Sequence, residues 1–239
     1  MSGHSHAKTV MATKMANAAK KGKIYSKYGR LITIAVKDGG GSGDPTKNSK
    51  LKATIEQAKA MDMPKENIER AIKKGTGELA GEALEEVSYE GFGPGGIALI
   101  INGITDNANR TLSEIKSILN QNNGKMAGEG AVRWMFERKG VIIINLQKTE
   151  ELEMTVIEAG ADDIKSYDNQ TEIYTKTEDL DAVKKALEDK GLKIESASLD
   201  MIAKEEVEIS EKEKEQVERL FEALDDNEAV NNIYSNLKS

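Results

Sequence analysis

The 239-residue chain contains no cysteine. Disulfides, thiolate metal sites and cysteine nucleophiles are thereby excluded, and a reducing cytoplasm is the expected location. Histidine is almost as scarce, since His4 and His6 are the whole supply. Two near neighbours do not make the three or four ligands of a metal site, and no further imidazole exists to act as base in Ser-His-Asp or Cys-His chemistry. No metal and no cofactor are therefore expected. The chain also lacks any run of 18 apolar residues, which argues against a membrane-spanning helix. Val10-Met11-Ala12 is too short for the apolar centre of a secretory signal, and the N-terminal bases are Lys where mitochondrial transit peptides favour Arg. The most informative absence is local: no Asp or Glu precedes Asp38.

Within that acid-free span stand Lys8, Lys14, Lys20, Lys21, Lys23, Lys27, Arg30 and Lys37. The asymmetry continues to Gly77. Residues 1–77 carry 16 bases against 6 acids, a net charge of +10, whereas the rest carries 18 bases against 35 acids, a net charge of −17. A basic part joined to an acidic remainder points to a polyanionic partner for the former.

Three helices are predicted in the basic part. In the first, from about Lys8 to Lys37, Ile24, Tyr28, Leu31 and Ala35 fall within about 60° of one another at 100° per residue, which predicts a buried stripe. Lys20, Lys23, Lys27, Arg30 and Lys37 occupy a neighbouring arc about 100° wide. Gly22 lies inside the pattern and marks an expected break. A second helix is expected to start with Asp44 as N-cap and Pro45 as first helical residue, and to bury Leu51, Ile55 and Ala58. The third begins at Pro64, buries Ile68, Ala71 and Ile72, and stops at Gly75 after Lys73 and Lys74. Surface helices normally interleave both signs to gain i,i+4 pairs. The first helix does not, so its basic face reads as a nucleic-acid contact. Lys20, Lys21, Lys23, Lys27 and Arg30 are the expected phosphate contacts. Tyr25, beside Lys21, Lys23 and Lys27, is the candidate for stacking on an unpaired base, with core packing as the competing role.

Several stretches resemble one family. Gly3-His4-Ser5, the run from Lys20 to Lys27, and Met63-Pro64-Lys65-Glu66-Asn67-Ile68-Glu69-Arg70-Ala71-Ile72 resemble the N-terminal domain of the YebC family. Tyr89-Glu90-Gly91-Phe92-Gly93-Pro94-Gly95-Gly96, the run Asp106–Thr111, Trp134-Met135-Phe136 and Asn232-Ile233-Tyr234-Ser235-Asn236 are similar to its later signatures and occur in the same order. That family includes bacterial proteins called probable transcriptional regulators and a mitochondrial translational activator. The chain departs from it at His6, Ala7 and Met11-Ala12-Thr13, where a Lys-Trp pair and a basic cluster are usual. The resemblance implies a nucleic-acid-binding regulator of gene expression, acting on DNA in transcription or, alternatively, on ribosomal or messenger RNA at the ribosome. It also implies a discontinuous domain with another inserted.

Beyond Gly77 the pattern alternates between strand and helix, which predicts an α+β fold. A three-helix domain (1–77) is expected to precede two α+β sandwiches with mainly antiparallel sheets, one from 78–138 plus 204–239 and one inserted at 139–203. Strands are expected at 86–90, 97–104, 131–138 and 206–209, among others, with Asp106 capping a helix. Gly91-Phe92-Gly93-Pro94-Gly95-Gly96 satisfies G-x-G-x-x-G, but a strand follows where a dinucleotide site needs a helix, so it reads as a turn. Asp162-Asp163 and Asp225-Asp226 read as solvated element ends rather than Mg²⁺ ligands. Trp134, Met135 and Phe136 read as strand packing rather than a base-stacking platform. An enzyme with an interdomain acidic cleft is the alternative from another class. It lacks the fixed histidine or carboxylate cluster that would support it, so neither catalysis nor a small-molecule substrate is expected.

Overall fold

The computed structural model describes residues 18–81, 83–167 and 170–238. In chain order the helices are α1 (Ala18–Asp38), α2 (Ser49–Ala60), α3 (Lys65–Thr76), α4 (Ala108–Gln121), α5 (Glu150–Glu158), α6 (Leu180–Asp189) and α7 (Glu211–Asp225). The strands are β1 (Glu85–Phe92), β2 (Ala98–Thr105), β3 (Lys125–Met126), β4 (Phe136–Ile144), β5 (Asp163–Tyr167), β6 (Gln170–Thr175), β7 (Ile194–Ala203) and β8 (Val230–Ser235). The fold is α+β, with two four-stranded sheets ordered β3-β1-β2-β8 and β5-β6-β4-β7. Two compact units result: residues 18–132 with 209–233, and residues 133–208 with 234–238.

In the first unit Ile24, Tyr28 and Ala35 of the expected stripe on α1 are buried, whereas Leu31 is only partly so and Ile32 and Val36 are buried beside them. Ile24, Tyr28, Ile32, Ala35 and Val36 pack against Leu51, Ile55 and Ala58 of α2 and Ile68 and Ala71 of α3. The helix runs unbroken through Gly22, because this packing outweighs the cost of about 1 kcal/mol that glycine adds in a helix interior. The start of α2 also differs from expectation. Asn48 is its N-cap and accepts from the Leu51 N–H at 3.0 Å. Asp44 instead closes a local turn, accepting from the backbone and hydroxyl of Thr46 at 2.9 and 2.7 Å. Two hydrogen bonds nearer in sequence compete for the carboxylate and win it. Similarly, Asn107 rather than Asp106 caps α4, while Asp106 pairs with Arg110 at 2.6 Å. Helix α3 continues one residue past Gly75 and ends at Gly77, in the left-handed conformation at φ 83°.

Strands β1 and β2 form a hairpin in register from Glu85↔Thr105 to Phe92↔Ala98. The glycine-rich segment between them is a 3₁₀ turn, Pro94–Gly96, followed directly by β2. It is the turn that the sequence indicated. The carboxylate of Glu90, 6% exposed, accepts from the Gly130 and Val132 N–H groups at 2.8 and 2.7 Å. These bonds fix the loop after β3 against the hairpin.

In the second unit β4 pairs antiparallel with β6 and β7, and β5 with β6. Helices α5 and α6 cover one sheet face, burying Leu152, Val156, Val183 and Leu187 on Ile142, Ile144 and Ile173. The strand expected at 131–138 begins only at Phe136, after a 3₁₀ turn at Arg133–Met135, and runs unbroken to Ile144. Its partner β7 spans it from Ala203 opposite Phe136 to Ile194 opposite Ile144. The strand expected at 206–209 is reduced to a single bridge between Val207 and Leu237.

Candidate nucleic-acid interface

The basic face of α1 meets carboxylates from the far end of the chain. Lys27 Nζ lies 3.0 Å from Asp225 Oδ1 and also donates to the Asp225 carbonyl. Its neighbour Lys23 reaches Asp226 Oδ1 at 3.4 Å, and Arg30 reaches Glu228 Oε2 at 3.4 Å and the Glu228 carbonyl at 3.0 Å. Asp225 ends α7 and Asp226 is its C-cap, so the backbone carbonyls used by Lys27 and Lys23 lie at the negative end of that helix, whereas Arg30 meets Glu228 in the segment that follows. Asp225 is therefore a largely buried acceptor of this clamp, whereas Asp226, at the C-cap of α7 with its side chain 66% exposed, is the solvated helix end that the sequence indicated.

Burial grades the three pairs. The side chains of Lys27 and Asp225 are 3% and 10% exposed, whereas those of Lys23 and Asp226 are 46% and 66% exposed. Desolvation pulls the Lys27 ammonium below its ordinary value, and the Asp225 charge and hydrogen bond only partly offset it. Lys27 reaches no external phosphate without first leaving Asp225.

The other expected contacts separate as well. Tyr25 packs partly buried on the helical core, and its hydroxyl donates to the Asp62 carbonyl at 2.8 Å, in the turn between α2 and α3. Lys21 is half-buried and Lys23 exposed. Lys20 belongs to the first turn of α1, but its side chain lies outside the described residues, as do Lys8, Lys14 and both histidines.

Elsewhere in the basic part, Lys47, Lys50 and Lys65 pair with carboxylates. Arg70, Lys73 and Lys74 of α3 are exposed, as are Lys37, Lys52 and Lys59, and among the described residues none of these six forms an ion pair. On α3 the three cations fall within about a 100° arc opposite Ile68. The helix end favours cations at Lys73 and Lys74 of α3 and at Lys59 of α2, but that preference does not extend to Lys52 near the start of α2. Sequence reasoning took Lys73 and Lys74 as helix-stop signals and Arg70 only as part of a family-like run, although their spacing already placed them on one face.

Comparison with known proteins decides the family. The description "TACO1/YebC protein N-terminal domain" matches residues 5–78, and "TACO1/YebC second and third domain" matches residues 84–237. The chain belongs to the TACO1/YebC family. A relative from Caldanaerobacter subterraneus, named a probable transcriptional regulatory protein, is 44% identical over 241 residues, covering 100% of this chain and 98% of its own. A protein of the same description from Geobacter sulfurreducens is 45% identical over 237 residues, covering 99% and 95%. The crystal structure of a conserved hypothetical protein from Aquifex aeolicus is similar at a TM-score of 0.85 and 40% identity, over 95% of this chain and 93% of that one. The TACO1/YebC fold and the regulatory naming of its curated members thus frame the basic helical region.

Trp134 departs most from its sequence reading. Phe136 is buried at 4%, as strand packing requires, but Trp134 stands on the 3₁₀ turn before β4 and is 67% exposed. The strand begins at Phe136, five residues later than expected, so the alternation that would have turned the indole inward does not include it.

Proposed function

We propose that this chain is a nucleic-acid-binding transcriptional regulator that holds DNA chiefly by its phosphates. The observation that carries this reading is the exposed Arg70-Lys73-Lys74 face of α3, in a basic region where Lys23, Lys27, Arg30, Lys47, Lys50 and Lys65 are paired with carboxylates. Exposed Lys52 and Lys59 and half-buried Lys21 are further phosphate contacts in this reading. Lys27, Arg30 and Tyr25 hold the scaffold, and Lys23 joins the surface when it leaves Asp226. The names of the relatives support action at the DNA level.

Phosphate-led contact has a measurable signature. Each neutralised phosphate of duplex DNA contributes about −0.9 to the slope of log K against log salt. Changing Arg70, Lys73 and Lys74 together to Glu is expected to weaken duplex binding at least tenfold and to flatten the slope by about 2.7, measured by fluorescence anisotropy. Unchanged affinity and slope would sink the proposal. Crosslinking in cells followed by sequencing is expected to recover DNA; recovery of ribosomal or messenger RNA alone would overturn the transcriptional reading.

A further inference from the structure

The second unit carries an exposed aromatic ring in a cationic setting. Trp134, the only tryptophan of the chain, is 67% exposed on the turn that leads into β4. Two contacts tie Lys204 to this turn: its backbone N–H donates to the Met135 carbonyl at 2.9 Å, and its Nζ donates to the Trp134 carbonyl at 2.8 Å. The register explains the meeting, because Ala203 pairs with Phe136 and the next residue out on β7 falls beside the turn. Two residue pairs inward, Arg138 opposite Met201 is exposed, and Arg133 on the turn itself is exposed too.

Acids lie nearby, but most are engaged. Glu137 faces the other side of β4 and pairs with Lys139 at 3.8 Å, and Glu206 pairs with Lys165 at 2.9 Å. Glu205 is a further exposed carboxylate of this stretch, beside the exposed cations Arg138 and Lys204.

From this arrangement we infer that Trp134 is a stacking platform for one unpaired base of a single-stranded nucleic acid, with Lys204 and Arg138 on the flanking phosphates. The indole offers a flat π-face that accepts any base, and cations beside it track the backbone. An apolar protein partner fits less well, since burying the ring would desolvate the ammonium and guanidinium groups around it. The inference rests on the nucleic-acid reading given above and adds to it a second contact, specific to an unpaired segment.

As the sole tryptophan, Trp134 reports on itself. Titrating the full chain at low salt with a 12-nucleotide oligothymidine, and separately with a duplex of similar length, gives indole emission and binding together, the latter from labelled oligonucleotide anisotropy. The single strand is expected to quench the emission and the duplex to leave it largely unchanged. Trp134→Ala is expected to weaken single-strand binding about 5- to 150-fold, Trp134→Phe to retain most of it, and neither to alter duplex affinity. Single-strand binding with emission unchanged at saturation, or with Trp134→Ala as tight as wild type, overturns this inference and leaves the phosphate-contact reading standing. Absence of binding to either oligonucleotide overturns both.

Discussion

The ammonium of Lys27 and the carboxylate of Asp225, 198 residues apart in sequence, meet at 3.0 Å with both side chains nearly excluded from water. Such a pair is weak evidence of net stabilisation, because desolvation costs offset the attraction. Removing one member is costly in every case, because the other is left buried and uncompensated.

Lys27→Met is accordingly expected to destabilise the fold by about 3–5 kcal/mol in urea denaturation, and Lys27→Met with Asp225→Leu to recover most of that loss. The pair also predicts a pH dependence. Burial lowers the folded-state value of Lys27 below 10.5, so the unfolded chain binds more protons between the two values. Stability of the wild type relative to the Lys27→Met variant should therefore rise with pH across that window. A flat difference between the two proteins would contradict the burial argument.

Two glycines of the helical region predict opposite outcomes. A methyl at Gly75 would lie 2.6 Å from Val36 Cβ and 2.9 Å from the Thr33 carbonyl, where α3 approaches α1, whereas one at Gly22 meets nothing within 4 Å. Gly75→Ala is expected to cost about 1–3 kcal/mol by overpacking. Gly22→Ala is expected to stabilise by up to about 1 kcal/mol. Thermal unfolding of the two variants checks both signs.

The start of α7 is closed by a capping box, in which Ser210 Oγ accepts from the Glu213 N–H and Glu213 Oε2 accepts from the Ser210 N–H at 2.8 Å. Ser210→Ala is expected to cost about 1 kcal/mol near neutral pH. The Ser210 hydroxyl first, and its backbone N–H second, hold the Glu213 carboxyl below its ordinary value of 4.5. That contribution is present above 4.5 and is lost as pH falls through the lowered folded value, so the Ser210→Ala deficit should shrink in acid. A deficit constant from neutral pH to acid would show that the carboxylate plays no part in the cap.

The apolar spacing of α1 made most of its buried face legible, and the continuous apolar runs at 97–101 and 141–144 marked the strands β2 and β4. Both signals depend on one element alone. The fate of Lys27 does not: about 40° from Leu31 around the helix, it stands where a residue is either surface or core, and Asp225 decides which. Sequence shows the two charges but not that α7 delivers one to the other. For Trp134 the missing information was local, a 3₁₀ turn of three residues that removes the ring from the strand's alternation. Arg70, Lys73 and Lys74 were visible from spacing, but the ordinary preference for cations at a helix end concealed them.

The clamp on α1 also has an order in time. Lys23, Lys27 and Arg30 are translated early, whereas Asp225, Asp226 and Glu228 come 198–203 residues later. At about 5–20 residues per second, the basic stripe exists for about 10–40 s before its acidic partners are made. Through that interval the nascent helix presents Lys27 and Arg30, which the finished protein largely covers, and any chain ending before Asp225 would leave both without their acidic partners.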